Sequence, residues 1–315
     1  MDSRHLVDPE LLGVIDAMPA FVIDANNLQF VRQAFAIPNV ASAEAMSEVE
    51  MVEHSAPGWN GDPEVGLCVY RPIARTAPLP CILHLHGGGY VAGDARSHEP
   101  VHRELALALN CAIVSVNYRL APETPFPGAV HGGYAAVAWL WSVADTLGVD
   151  RDRIAVSGES AGGGLAAALA ILVRDRGEYR FCFQHLTYPM LDDRTCHRGD
   201  LNPYAGEFIW PRDSNRFGWR SLLGAEPGRP DVSPYAAAAR AGDLSGLPPT
   251  YIVVGALDLF VDEDIDFAQR LIRAGVPTEL HVLPGAYHGY GFSPLATVTI
   301  TSQQASLAAF AKALA

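Results

Sequence analysis

Ser160 stands between two glycines in Gly158-Glu159-Ser160-Ala161-Gly162, directly after the apolar run Ile154-Ala155-Val156. A serine hydroxyl attacks carbonyl carbon poorly unless a base takes its proton and its oxygen stands clear of neighbouring atoms. A sharp strand-to-helix turn gives that clearance, and glycines on both sides let the backbone bend tightly. Upstream, Cys81-Ile82-Leu83-His84-Leu85 reads as a short buried strand leading into His86-Gly87-Gly88-Gly89. Such a glycine run frees backbone N–H groups to approach a substrate oxygen, as is required when a carbonyl turns tetrahedral and negative. The N–H of Ala161, the residue after the serine, is a further donor. Downstream, the strand patterns 250–254 and 279–283 are followed by Asp258 and His288, each just past a strand's C-terminal end. In the order Ser, Asp, His these groups suit acyl transfer. Asp258 would hold the imidazole while His288 takes the serine proton and returns it to a leaving alcohol.

Several neighbours compete for these roles. Asp262, Glu263, Asp264 and Asp266 crowd behind Asp258. Ile265, Ala268, Leu271 and Ile272 share one helical face, so the later carboxylates fall in a first turn, where they complement the helix dipole. Asp258 precedes that helix and is the expected acid, with Asp262 the alternative. Among the histidines, His84 reads as a strand residue beside the glycine loop and His281 as one in step with core positions. His98-Glu99-Pro100-Val101-His102 matches the zinc pattern H-E-x-x-H, which needs both histidines one turn apart in a continuous helix. Pro100 belongs at a first helical position and would leave His98 outside the helix, pointing elsewhere, so no metal is expected.

Positioning these groups requires a sheet. From Cys81 onward strand and helix patterns alternate, the sign of a largely parallel sheet with helices on both faces. Residues 48–55 and 65–72 alternate like antiparallel strands, and residues 1–45 carry helical patterning, with Leu11, Leu12, Ile15 and Met18 on one face before Pro19. The stretch 192–232 breaks the rhythm with Tyr204, Phe208, Trp210, Phe217 and Trp219 among prolines and charges. With residues 1–45 it is read as a cap over the serine, leaving 46–191 and 233–315 as the catalytic unit. The alternative is a surface excursion anchored by its aromatic residues.

Length and charge narrow the classes. A chain of 315 residues can build one large α/β domain. With 22 basic against 35 acidic residues, net −13, it lacks the basic patch that nucleic acid requires. No run approaches the roughly 20 apolar residues of a membrane span. The acidic start Met1-Asp2-Ser3-Arg4-His5-Leu6-Val7-Asp8-Pro9-Glu10 is not read as a signal peptide. Cys68, Cys81, Cys111, Cys182 and Cys196 are odd in number and lack C-x-x-C spacing, which reads as reduced thiols in a cytoplasmic protein.

His86-Gly87-Gly88-Gly89-Tyr90, Tyr118-Arg119-Leu120-Ala121-Pro122-Glu123 with Phe126-Pro127, and Gly158-Glu159-Ser160-Ala161-Gly162-Gly163 carry a resemblance. So do Tyr188-Pro189, Asp258-Leu259-Phe260-Val261-Asp262-Glu263 and His288-Gly289. From about Val65 to the C-terminus the chain resembles the hormone-sensitive-lipase-like branch of the α/β-hydrolases, the bacterial family IV esterases. The resemblance implies an α/β-hydrolase fold: a mostly parallel central sheet of about eight strands, helices on both faces and a helical cap. It implies Ser160 as nucleophile, Asp258 as acid and His288 as base. The N–H groups of Gly88, Gly89 and Ala161 would form the oxyanion hole, with His86 bracing the loop. Tyr90, Glu159, Tyr188, Phe208 and Trp210 are the candidates for the substrate pocket.

Two positions depart from the family pattern. Glu159 replaces the usual aspartate or threonine, a longer acid that could shift contacts beside the nucleophile, and Gly128–Gly133 replaces the acidic residues common after Phe126-Pro127. The expected function is hydrolysis of small-molecule carboxylic esters without metal or cofactor, with the cap favouring short to medium acyl chains. Amide or elimination chemistry on the same fold, or a non-catalytic small-molecule binding protein, are the alternatives. Members of the family often pair as homodimers through the sheet edge or last helix, though nothing in residues 294–315 marks such a contact.

Overall fold

The structure is a computed structural model describing residues 2–18, 21–35, 41–75, 78–197, 199 and 202–315. Eight strands form one sheet: β1 (Val49–Ala56), β2 (Val65–Pro72), β3 (Leu79–Leu85), β4 (Ala112–Asn117), β5 (Val149–Glu159), β6 (Phe183–Thr187), β7 (Thr250–Gly255) and β8 (Thr278–Leu283). Their order is β1-β2-β4-β3-β5-β6-β7-β8. β2 runs antiparallel to both neighbours, and every other pairing is parallel. β3 and β7 are buried along their whole length, which is why they read as unbroken apolar runs rather than alternating ones. β8 forms the edge opposite β1 and has no fully buried residue. There His281 departs from the core position its periodicity suggested: its side chain is 35% exposed and pairs with Glu279.

Nine helices accompany the sheet among the described residues: α1 (Leu12–Ala17), α2 (Leu28–Phe35), α3 (Ala43–Glu48), α4 (Glu99–Leu109), α5 (Gly128–Leu147), α6 (Ala161–Arg176), α7 (Arg212–Leu223), α8 (Val261–Arg273) and α9 (Thr297–Ala313). Successive strand residues point to opposite layers. Leu83 and Val156 join the core beneath α5, α6 and α8, whereas Ile82 and Ala155 join the one beneath α4 and α9. α6 is buried from Ala161 through Val173, and its small residues let it lie close on the sheet. A Cβ on Gly162 would come within 2.0 Å of the Leu85 carbonyl oxygen.

The first helices differ in detail from their sequence patterns. Leu11 is buried, but α1 ends at Ala17, so Met18 leaves the helical face and is 48% exposed. Pro19 lies outside the described residues. α3 runs to Glu48 and packs on β1 and α4, so β1 begins at Val49, close to the strand pattern read over 48–55. Among the described residues of 192–232 the regular elements are a single turn at Asp193–Cys196 and α7. Buried polar contacts hold this stretch to the body. Arg240 pairs with the fully buried Asp193 at 2.7 Å, and Glu263 accepts from the Leu191 and Asp192 N–H groups at 2.6 and 3.1 Å. Glu263 therefore turns inward, a use that its first-turn position in α8 did not reveal. The Ile23 N–H donates to Ser214 Oγ of α7 at 2.9 Å, joining the excursion to the N-terminal segment. All five cysteines are unpaired. Among the described residues no helix is long and apolar enough to cross a membrane.

Candidate active site

Ser160 occupies the turn between β5 and α6 with φ 55° and ψ −123°, a conformation that a side chain adopts only when its surroundings impose it. The surroundings do so: Ser160 N–H donates to the Thr187 carbonyl at 2.9 Å, and its carbonyl accepts from Met190 N–H at 2.9 Å. Ser160 Oγ lies 2.9 Å from His288 Nε2. His288 Nδ1 lies 2.8 Å from Asp258 Oδ2, and Asp258 Oδ1 accepts from Phe260 N–H at 3.0 Å. With Nδ1–H given to the carboxylate, Nε2 carries the lone pair that faces the serine. Asp258 is 0% exposed, and Ser160 and His288 are each 6% exposed, so the chain of groups is shielded from bulk water. Asp262, the alternative acid, instead accepts from Asn202 N–H at 3.4 Å.

The glycine loop follows β3. Gly88 and Gly89 have φ of +117° and +62°, and the Gly88 carbonyl accepts from the Val91 and Ala92 N–H groups at 3.0 Å each. A Cβ at Gly88 would sit 2.2 Å from the Ala92 carbonyl oxygen, so no other residue fits. Ala161 opens α6, and its N–H is one of the first four in a helix, which have no intrahelical partner. His86 Nδ1–H donates to the Gly87 carbonyl at 2.8 Å, and the ring stacks on Tyr118 at 4.1 Å. Tyr118 Oη in turn donates to the His86 carbonyl at 2.7 Å. Burial outweighs the Gly87 hydrogen bond and lowers the His86 pKa to about 4, so the ring is neutral.

Glu159 points behind this loop, not toward the serine. Its Oε2 meets His84 Nε2 at 2.8 Å and its Oε1 accepts from Gly87 N–H at 2.5 Å. His98 caps α4 from outside the helix, as Pro100 requires, but its ring does not point away: Nδ1 lies 3.5 Å from Glu159 Oε1. His102 packs edge-on against His84 at 4.4 Å. Among the described residues no group of three or more His, Cys, Asp or Glu side chains is arranged to hold a metal ion.

Three of the five pocket candidates gather around His288. Tyr188 stands edge-on to it at 4.7 Å and Trp210 lies tilted at 6.1 Å, while Phe208 packs 5.8 Å from the neighbouring Tyr287. Trp210 also lies over the glycine loop, so close that a Cβ on Gly89 would sit 2.2 Å from its ring. Its Nε1–H donates to Asn215 Oδ1 of α7 at 3.2 Å. Tyr90 and Glu159 do not join this group. Tyr90 is a core residue, 1% exposed, packed on Trp219 with its hydroxyl donating to the Met190 carbonyl at 3.3 Å. Phe260, edge-on to His288 at 5.2 Å, was not singled out from sequence, although its place two residues after Asp258 marked it as a neighbour.

Comparison with known proteins agrees with this fold. Residues 82–292 match a family model described as the alpha/beta hydrolase fold. The chain belongs to that family, in the hormone-sensitive-lipase-like branch. It is 34% identical over 306 residues to the esterase LipI of Mycobacterium tuberculosis, covering 94% of this chain and 92% of that one. It is 33% identical over 315 residues to the carboxylesterase NlhH of the same species, covering 99% and 98%. Among solved structures it is similar to a bacterial heroin esterase, with a TM-score of 0.91, 38% identity and full coverage of both chains.

Proposed function

We propose that this chain is a carboxylesterase in which Ser160, His288 and Asp258 hydrolyse small-molecule esters through an acyl-enzyme intermediate. One observation carries the reading: Ser160 Oγ, His288 Nε2, His288 Nδ1 and Asp258 Oδ2 form one hydrogen-bonded line, with steps of 2.9 and 2.8 Å. His288 takes the Ser160 proton as Oγ attacks the ester carbonyl, and the negative oxygen turns to the N–H groups of Gly88, Gly89 and Ala161. Collapse expels the alcohol with the proton from His288, and water repeats the sequence on the acyl-serine. Asp258 stabilises the imidazolium that forms at each step. The esterase names of LipI and NlhH support the bond class. Residues 192–232 together with the N-terminal helices act as the cap. Trp210, near His288 and over Gly89, limits the room for the acyl chain, which favours short to medium esters.

Ser160→Ala should leave the fold intact and lower p-nitrophenyl acetate turnover by about 10³-fold or more. A serine-directed organophosphonate should label the wild type at Ser160 and leave the variant unlabelled. Turnover retained within tenfold in Ser160→Ala would show that another group is the nucleophile.

A further inference from the structure

A loop containing three glycines has almost no conformational preference of its own, yet an oxyanion hole works only when its donors are fixed before the charge appears. Something outside the loop must set the direction of the Gly88 and Gly89 N–H groups. His86 fixes the carbonyl side of Gly87. The amide side of Gly87 is held by Glu159, the last residue of β5, whose Oε1 accepts its N–H at 2.5 Å. Glutamate and loop are in contact: a Cβ on Gly87 would sit 3.2 Å from the Glu159 carbonyl oxygen and 3.4 Å from its Cγ and Oε1.

The glutamate is itself held from two further elements. Its Oε2 meets His84 Nε2 at the end of β3, at 2.8 Å, and its Oε1 faces His98 Nδ1 at the start of α4, at 3.5 Å. β3 pairs with β5 with His84 beside Ser157, so the reach of a four-atom side chain from Glu159 back to His84 is set by the sheet register. Burial favours the neutral acid, but His98, His84 and the Gly87 N–H outweigh it and hold the Glu159 pKa at about 2. The acceptor is therefore a full carboxylate, and the hydrogen bond to Gly87 is a charge-assisted one.

We propose that Glu159, held by His84 and facing His98, is a positioning residue that presets the oxyanion loop through the Gly87 N–H. The inference rests on the esterase reading above. It assigns the residue before the nucleophile to the neighbouring loop, where it acts on the transition state without touching substrate. Glu159→Ala should lower kcat on p-nitrophenyl acetate by about 10- to 100-fold while KM stays within about threefold, because the loop's donors are displaced rather than removed. Affinity for a trifluoromethyl ketone, whose hemiketal oxyanion uses the same donors, should fall by a similar factor. Glu159→Gln keeps an acceptor for Gly87 and should recover most of both losses.

A kcat within twofold of wild type for Glu159→Ala, or a lower kcat with unchanged ketone affinity, would overturn the proposal. Should that variant not fold, His84→Ala carries the test, since it leaves Glu159 in place but unpinned. It should weaken kcat and ketone binding together, and wild-type ketone affinity there would overturn the proposal equally. Absence of ester turnover and of Ser160 labelling in the wild type would instead remove the functional reading on which the inference rests.

Discussion

His185 is sandwiched between Tyr251 and Phe310, with ring centroids 4.7 and 4.4 Å away and nearly parallel planes. It lies in β6 with neither ring nitrogen hydrogen-bonded, and burial lowers its pKa to about 3. The unfolded chain takes up this proton near pH 6.5 and the folded one does not, so acid favours unfolding. The stabilisation is complete above pH 6.5 and is lost progressively as pH falls from there toward 3, at about 1.4 kcal/mol per pH unit. His185→Phe should remove this part of the acid sensitivity. Between pH 6.5 and 5 its unfolding free energy, followed by denaturant titration, should fall by about 2 kcal/mol less than that of the wild type. The residues of the site differ in how far sequence revealed them. Ser160, Asp258 and His288 were legible as candidates because each follows a strand and is of the type that its proposed role requires. Glu159 was legible as an oddity but not as a contact. Its partners His84 and His98 are separated from it in sequence and meet it only through strand pairing and the entry to α4.

At the scale of elements, the βα alternation was plain because each central strand is a short apolar run and each following helix changes the period. The segment 192–232 was legible only as an interruption. Its path depends on buried polar contacts such as Arg240 with Asp193, and these follow no periodic pattern. Trp210 shows what the path achieves: with Asn215 at its Nε1, the indole is fixed over Gly89 and near His288. Trp210→Ala should open that space. Across p-nitrophenyl esters of graded length, the ratio of kcat/KM for octanoate to that for acetate should rise by about tenfold or more relative to wild type. An unchanged ratio would place the acyl chain elsewhere.

The molecule as a whole is one sheet whose two layers of helices are set by strict alternation of side chains, so its fold class could be read from pattern alone. The β8 edge was less legible, since β8 carries apolar residues like its neighbours but leaves His281 partly in solvent. Burial also governs the thiols. Cys111 and Cys196 are pushed up to about 12 and Cys182 to about 11, mainly by desolvation, and Cys68 and Cys81 are raised as well. An aromatic disulfide reagent at pH 8 should therefore react slowly with the native protein, and all five thiols should appear as the chain unfolds. The hydrogen bond from Ser160 Oγ to His288 Nε2 spans 128 positions of the chain, and the one from Tyr287 Oη to the Leu11 carbonyl spans 276. A polypeptide leaving the ribosome N-terminus first presents Ser160 well before His288 is synthesised. On the roles proposed above, a nascent or truncated chain that lacks His288 holds no base for Ser160, and reactivity should follow only once β8 and the residues after it are in place.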